Sequence, residues 1–138
     1  MNFVSKFLVS AKKPQGSYLA FKLAPASKQE ILGTFTPRYS RVICDHVTLE
    51  YNNPTEELKQ EFTRASLEII GYQFGPGVDC LAVKVNGSLF RPDGERFHLT
   101  LSVKGSHKPV ESIDLLRRQG YNETIPFSIQ GDLEFLPK

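Results

Sequence analysis

The chain has no tryptophan, one methionine and only two cysteines, Cys44 and Cys80. The cysteines are too far apart for a CxxC pair, and they form no zinc-ligand spacing with the three histidines, so no metal centre and no cofactor are expected. Lone thiols in apolar-rich stretches point to reduced cysteines and a cytoplasmic compartment. Long apolar runs are missing too. The apolar patches of residues 1–11 are interrupted by Lys6 and are too short for a signal-peptide core or a bilayer span. That segment is expected to pack against the fold, leaving an unanchored protein with no membrane partner. Charge of one sign is also scarce. A formal net charge of +2 and a pI near 8.5 leave no basic stripe for extensive duplex binding, and suit a small anion or a few phosphates. Nothing resembles a glycine-rich phosphate cradle, a serine nucleophile elbow or paired catalytic carboxylates.

What is present is a folding composition. The chain has 138 residues, 40% of them hydrophobic and 23% charged, which fits one domain over residues 1–138 with a buried core. No linker or low-complexity run divides it. Residues 17–23 alternate as a strand, with Leu19, Phe21 and Leu23 on one face and Tyr18, Ala20 and Lys22 on the other. Pro25 and Gly33 bracket a short helix. Asn53 is placed to cap a second helix, with Pro54 at its first position and Glu56 completing a capping box. Residues 66–74 and 78–85 read as an antiparallel pair around Gly75-Pro76-Gly77. Residues 110–119 form a helix candidate ended by Gly120, and residues 124–136 a final strand or hairpin.

Two stretches carry the chemistry. Residues 41–51 read as one strand, and period-two geometry puts His46 and Thr48 on one face with Val47 and Leu49 on the other. Residues 96–103 repeat the order: His98-Leu99-Thr100-Leu101 follows His46-Val47-Thr48-Leu49 after 52 residues. A weaker echo links Leu19-Ala20-Phe21-Lys22-Leu23 to Leu81-Ala82-Val83-Lys84-Val85, which would bring Lys22 and Lys84 to the polar face beside the histidines. Two related lobes in one domain are the economical description.

Two histidines on rigid strands can perform metal-free phosphodiester chemistry. A neutral imidazole takes a proton from the attacking oxygen, and a protonated one returns a proton to the leaving oxygen. Thr48 and Thr100 can donate hydrogen bonds to the non-bridging phosphate oxygens. One residue either way would turn each threonine to the opposite face.

The paired His-x-Thr strands resemble the twin signature of the two-histidine (2H) phosphoesterase superfamily, and with the strand order the likeness covers most of the chain. It implies an α+β, bilobal fold in which antiparallel sheets line a central cleft and helices lie outside. It also implies action on 2′,3′-cyclic phosphates, 2′–5′ linkages or related nucleotide esters without metal. The implied catalytic residues are His46, Thr48, His98 and Thr100. Lys108-Pro109-Val110-Glu111-Ser112 resembles the branch holding RNA-repair-like domains and phage nucleases that destroy cyclic oligonucleotide signals. The expected partners are therefore a nucleotide, a cyclic oligonucleotide or an RNA end.

For substrate binding the residues offer Tyr18, which can stack on a base, together with Lys22 and Lys84 for phosphate. Tyr39 and Phe90 are further stacking candidates, and Arg41 and Arg96 further cations, although each of these residue types more often packs or stays solvated. Asp45 alternates away from His46, so Glu50, on the His46 face, is the candidate orienting carboxylate. His107 reads as surface. The alternative to an enzyme is a non-catalytic nucleotide- or RNA-binding module that keeps the same cleft.

Overall fold

The computed structural model describes residues 16–138; the packing role expected of residues 1–11 lies outside them. β1 (Ser17–Leu23) buries Leu19, Phe21 and Leu23 and leaves Lys22 exposed, as its alternation requires. α1 (Pro25–Thr34) begins on a proline that needs no amide partner there, and it buries Ile31. Its Ser27 hydroxyl accepts from the Gln130 amide at 2.8 Å. β2 (Arg41–Val42) and β3 (His46–Glu50) then replace the single strand expected over residues 41–51. The interruption is at Cys44, whose φ of 41° is left-handed backbone that breaks a strand.

α2 (Glu56–Phe62) is capped by Thr55, whose hydroxyl accepts from the Leu58 amide at 3.1 Å, rather than by Asn53. The Asn53 amide instead donates to Glu50 Oε2. β4 (Leu67–Phe74) and β5 (Val78–Val85) form the expected antiparallel pair. β6 (His98–Val103) is followed by α3 (Glu111–Gln119), which ends at Gly120 with φ 66°. β7 (Asn122–Ile129) and β8 (Gly131–Pro137) occupy the region read as a strand or hairpin, yet they are not partners. β7 pairs with β4, and β8 pairs with β1.

The strands make two antiparallel sheets, ordered β3-β1-β8 and β2-β6-β5-β4-β7. With three helices among the described residues, the fold is α+β. The chain passes between the sheets four times: through α1, at Cys44, through α2 and at Gln130. At Cys44 the Ile43 and Cys44 amides donate to the Leu101 and Thr100 carbonyls at 2.9 and 3.0 Å. The small sheet is thereby joined to the large one along β6. One apolar core underlies both: Leu19, Phe21, Val47 and Leu49 meet Leu81, Val83, Leu99 and Leu101 together with Ile31 of α1. A smaller cluster of Val78, Cys80 and Val103 lies under Leu115 and Leu116 of α3.

Each His strand carries a bulge directly after its threonine. Leu49 has no partner between the Ala20–Thr48 and Leu19–Glu50 pairs, and Leu101 has none between Cys80–Thr100 and Asp79–Ser102. A bulge reverses the alternation of everything after it. Glu50 and Ser102 therefore leave the faces of Thr48 and Thr100 and are buried on the other side.

Candidate active site

The register brings the histidines together. β2 pairs Arg41 with Val103 and Val42 with Ser102, and the amides of Ile43 and Cys44 continue that ladder to Leu101 and Thr100. At Cys44 the chain leaves for the small sheet, yet β3 stays packed against β6, and His46 is near enough to His98 for its charge to act on that ring. Both side chains are half-buried, on the faces of their strands that turn away from the main core.

Their surroundings differ. His46 Nδ1 lies 3.0 Å from Asp45 Oδ2, and its Nε2 is 3.2 Å from the Tyr18 hydroxyl. Asp45 also accepts from Lys22 Nζ at 2.6 Å. Partial burial raises the Asp45 carboxyl, but its bonds to Lys22 and His46 outweigh that and hold it below its ordinary range. The Nδ1 of His98 donates to the Arg96 carbonyl at 3.2 Å, which leaves Nε2 as the acceptor. Burial pushes the His98 pKa down to about 4, against the pull of that carbonyl, and Arg91 and His46 add to the fall. His98 is thus a neutral imidazole at neutral pH, whereas His46 is backed by a carboxylate ready to balance a positive ring.

The orienting carboxylate is Asp45 and not Glu50. The left-handed turn at Cys44 takes Asp45 out of the strand's alternation, and the bulge at Leu49 turns Glu50 to the buried side. Lys22 stands directly opposite His46 across β1 and β3. The residue in the equivalent place opposite His98 is Ala82, so the echo pairing Lys22 with Lys84 is out by two residues. Lys84 lies on the same face as Ala82, about 7 Å further along β5.

The two threonines also part company. Thr48 is half-buried opposite Ala20, and its hydroxyl has no hydrogen-bond partner among the described residues. Thr100 is 5% exposed. Its hydroxyl donates to the Pro109 carbonyl at 3.1 Å and lies 2.8 Å from Ser112 Oγ, so it holds the start of α3 in this state. A phosphate would have to draw that hydroxyl away from Pro109. Tyr18 is in the site through its contact with His46, and burial followed by the nearby Asp45 charge raises its pKa.

Comparison with protein families, curated proteins and solved structures returns no match.

Sequence reasoning missed Arg91. It is 7% exposed and side-on to Asp93, through Nε at 3.0 Å and Nη2 at 2.5 Å, in the turn that leads to His98. Its one readable signal is a basic residue in a Pro-Asp-Gly turn beside the histidine strand. Tyr39 donates its hydroxyl to the Gly75 carbonyl, and Arg41 donates to the Gly105 and His107 carbonyls. Both therefore serve the far end of the large sheet. His107 is half-buried rather than fully exposed, with Nδ1 2.8 Å from Glu111 Oε1. Among the described residues no three His, Cys, Asp or Glu side chains converge as a metal site, and no helix is long and apolar enough to cross a membrane. Cys44 and Cys80 are free thiols whose pKa values burial raises to about 11 and about 12.

Proposed function

We propose that this chain is a metal-independent phosphodiesterase of the two-histidine kind, acting on 2′,3′-cyclic phosphates, 2′–5′ linkages or cyclic oligonucleotides. The observation that carries this reading is the packing of β3 against β6, which brings His46 near enough to His98 for their charges to interact. Two antiparallel sheets sharing one core support the bilobal 2H reading, and the buried free thiols suit a reducing, cytoplasmic compartment. His98 is the general base: its Nε2 lone pair takes a proton from the attacking water as the new O–P bond forms. His46 is the general acid: its ring, balanced by Asp45, gives the Nε2 proton to the leaving oxygen as the old P–O bond breaks. Lys22, opposite His46 on β1, Thr48 and the Tyr18 hydroxyl are the groups beside His46 that can meet the non-bridging oxygens.

The second reading, a nucleotide-binding module without turnover, is favoured by Thr100, whose hydroxyl is already donated within the protein. A panel of cyclic mono-, di- and trinucleotides, incubated in excess chelator with the products identified, separates the two. Products with a single regiochemistry support the enzyme. Binding without any product supports the module, and neither binding nor product removes both.

A further inference from the structure

Two aromatic rings with much of their surface open flank the two histidines, Phe90 in the turn before β6 and Tyr51 directly after β3. Phe90 is 49% exposed. It is bridged to Arg96, whose guanidinium carbon lies 5.5 Å from the ring centroid. Phe97 points into the core, so Arg96 and His98 on either side of it share the opposite face. On the small sheet Tyr51 is 42% exposed. Its ring is 5.3 Å from that of Tyr18, whose hydroxyl meets His46, and Lys138 Nζ lies 4.4 Å from its centroid. Across the site the order is therefore Phe90, Arg96 and His98, then His46, Tyr18 and Tyr51.

We propose that Phe90 and Tyr51 are stacking platforms for two bases, one on each side of the scissile phosphate. The substrate is then a linear or cyclic oligonucleotide, not a mononucleoside cyclic phosphate. This rests on the phosphodiesterase reading. A cation lies beside each ring, and the exposed half of each ring is the part open to a base; stacking of this kind tolerates any base. The same cations lie where the neighbouring phosphates of a longer strand would pass. Phe74 under Arg38 is a similar pair, but it lies at the β4–β5 turn, at the far end of the large sheet.

The test is calorimetric titration of a His98→Gln protein, which cannot turn substrate over, with 2′–5′ and 3′–5′ dinucleoside monophosphates and with the matching mononucleotide. The dinucleotide should bind more tightly. Phe90→Leu and Tyr51→Leu should each weaken it by between about fivefold and about a hundredfold, the span for losing one stacked base. The mononucleotide should respond to one variant at most. Equal dinucleotide affinity in both variants and the parent, or no dinucleotide binding, overturns the proposal. Turnover by the wild-type protein is read separately. Dinucleotide bound through both rings, with no cleavage of either linkage or of any member of the cyclic nucleotide panel, removes the hydrolase and keeps the two-base site, whereas cleavage indifferent to both rings keeps the hydrolase and removes the platforms.

Discussion

Replacing His98 by glutamine should flatten the acid sensitivity of folding. In the folded chain burial lowers the imidazole from 6.5 to about 4, while the unfolded chain keeps its ordinary value. Above about pH 7 neither state binds the proton, and the residue adds no pH dependence. Below 6.5 the unfolded chain takes up a proton that the folded one refuses, so stability falls until the folded pKa is passed. At 1.36 kcal/mol per pH unit, the loss between the two values is at most about 3 kcal/mol. The ring keeps some contact with water, so the measured loss should approach this figure from below. Glutamine keeps an amide that can donate to the Arg96 carbonyl but carries no proton that titrates. Urea unfolding of both proteins from about pH 7 to about pH 4 isolates the difference, because every other group is shared. With no tryptophan in the chain, far-ultraviolet circular dichroism or tyrosine emission is the probe. A wild-type loss within about 0.5 kcal/mol of the variant's would refute the buried neutral imidazole and, with it, the assignment of His98 as base.

Asp45→Asn should keep the fold and lower kcat by roughly ten- to a hundredfold with little change in KM, since the imidazolium of His46 loses its partner; an unchanged kcat in steady-state kinetics counts against the acid assignment. Leu99→Ala, in the core at 0% exposure, should cost about 2–5 kcal/mol in urea unfolding. Gly71→Ala should destabilise by about 1–3 kcal/mol, because the added carbon would lie 2.1 Å from the Tyr121 ring and 2.8 Å from the Asn122 carbonyl. Ser112→Ala should leave Thr100 with the Pro109 carbonyl alone and lower the melting temperature by a few degrees, equivalent to about 1 kcal/mol.

The parts of the fold written in local alternation were legible. Residues 17–23 and the β4–β5 pair follow their apolar period, and Gly120 ends α3. The two His-x-Thr strands declared themselves because a repeat of residue types at period two implies one shared face. The departures come from backbone irregularities that side-chain identity does not announce. A cysteine at φ 41° and two bulges on leucines look in sequence like regular strand, yet they exchange Asp45 for Glu50 beside His46. Asn53 and Thr55 are both competent caps, and only the three-dimensional placement of Glu50, which takes up the Asn53 amide, decides between them. β7 and β8 read as neighbours because nothing local says which sheet an alternating strand joins. The engagement of Thr100 by Ser112 is a tertiary contact across α3, beyond the reach of either motif.

Single-turnover rates on the best substrate of the nucleotide panel, with and without chelator, decide the assignment when measured for the wild-type, His46→Ala and His98→Ala proteins. Wild-type rates should be indifferent to chelator, and each variant should lose at least about a hundredfold with unchanged melting at neutral pH. Near-wild-type rates in either folded variant, or a wild-type rate that vanishes with chelator, would contradict it.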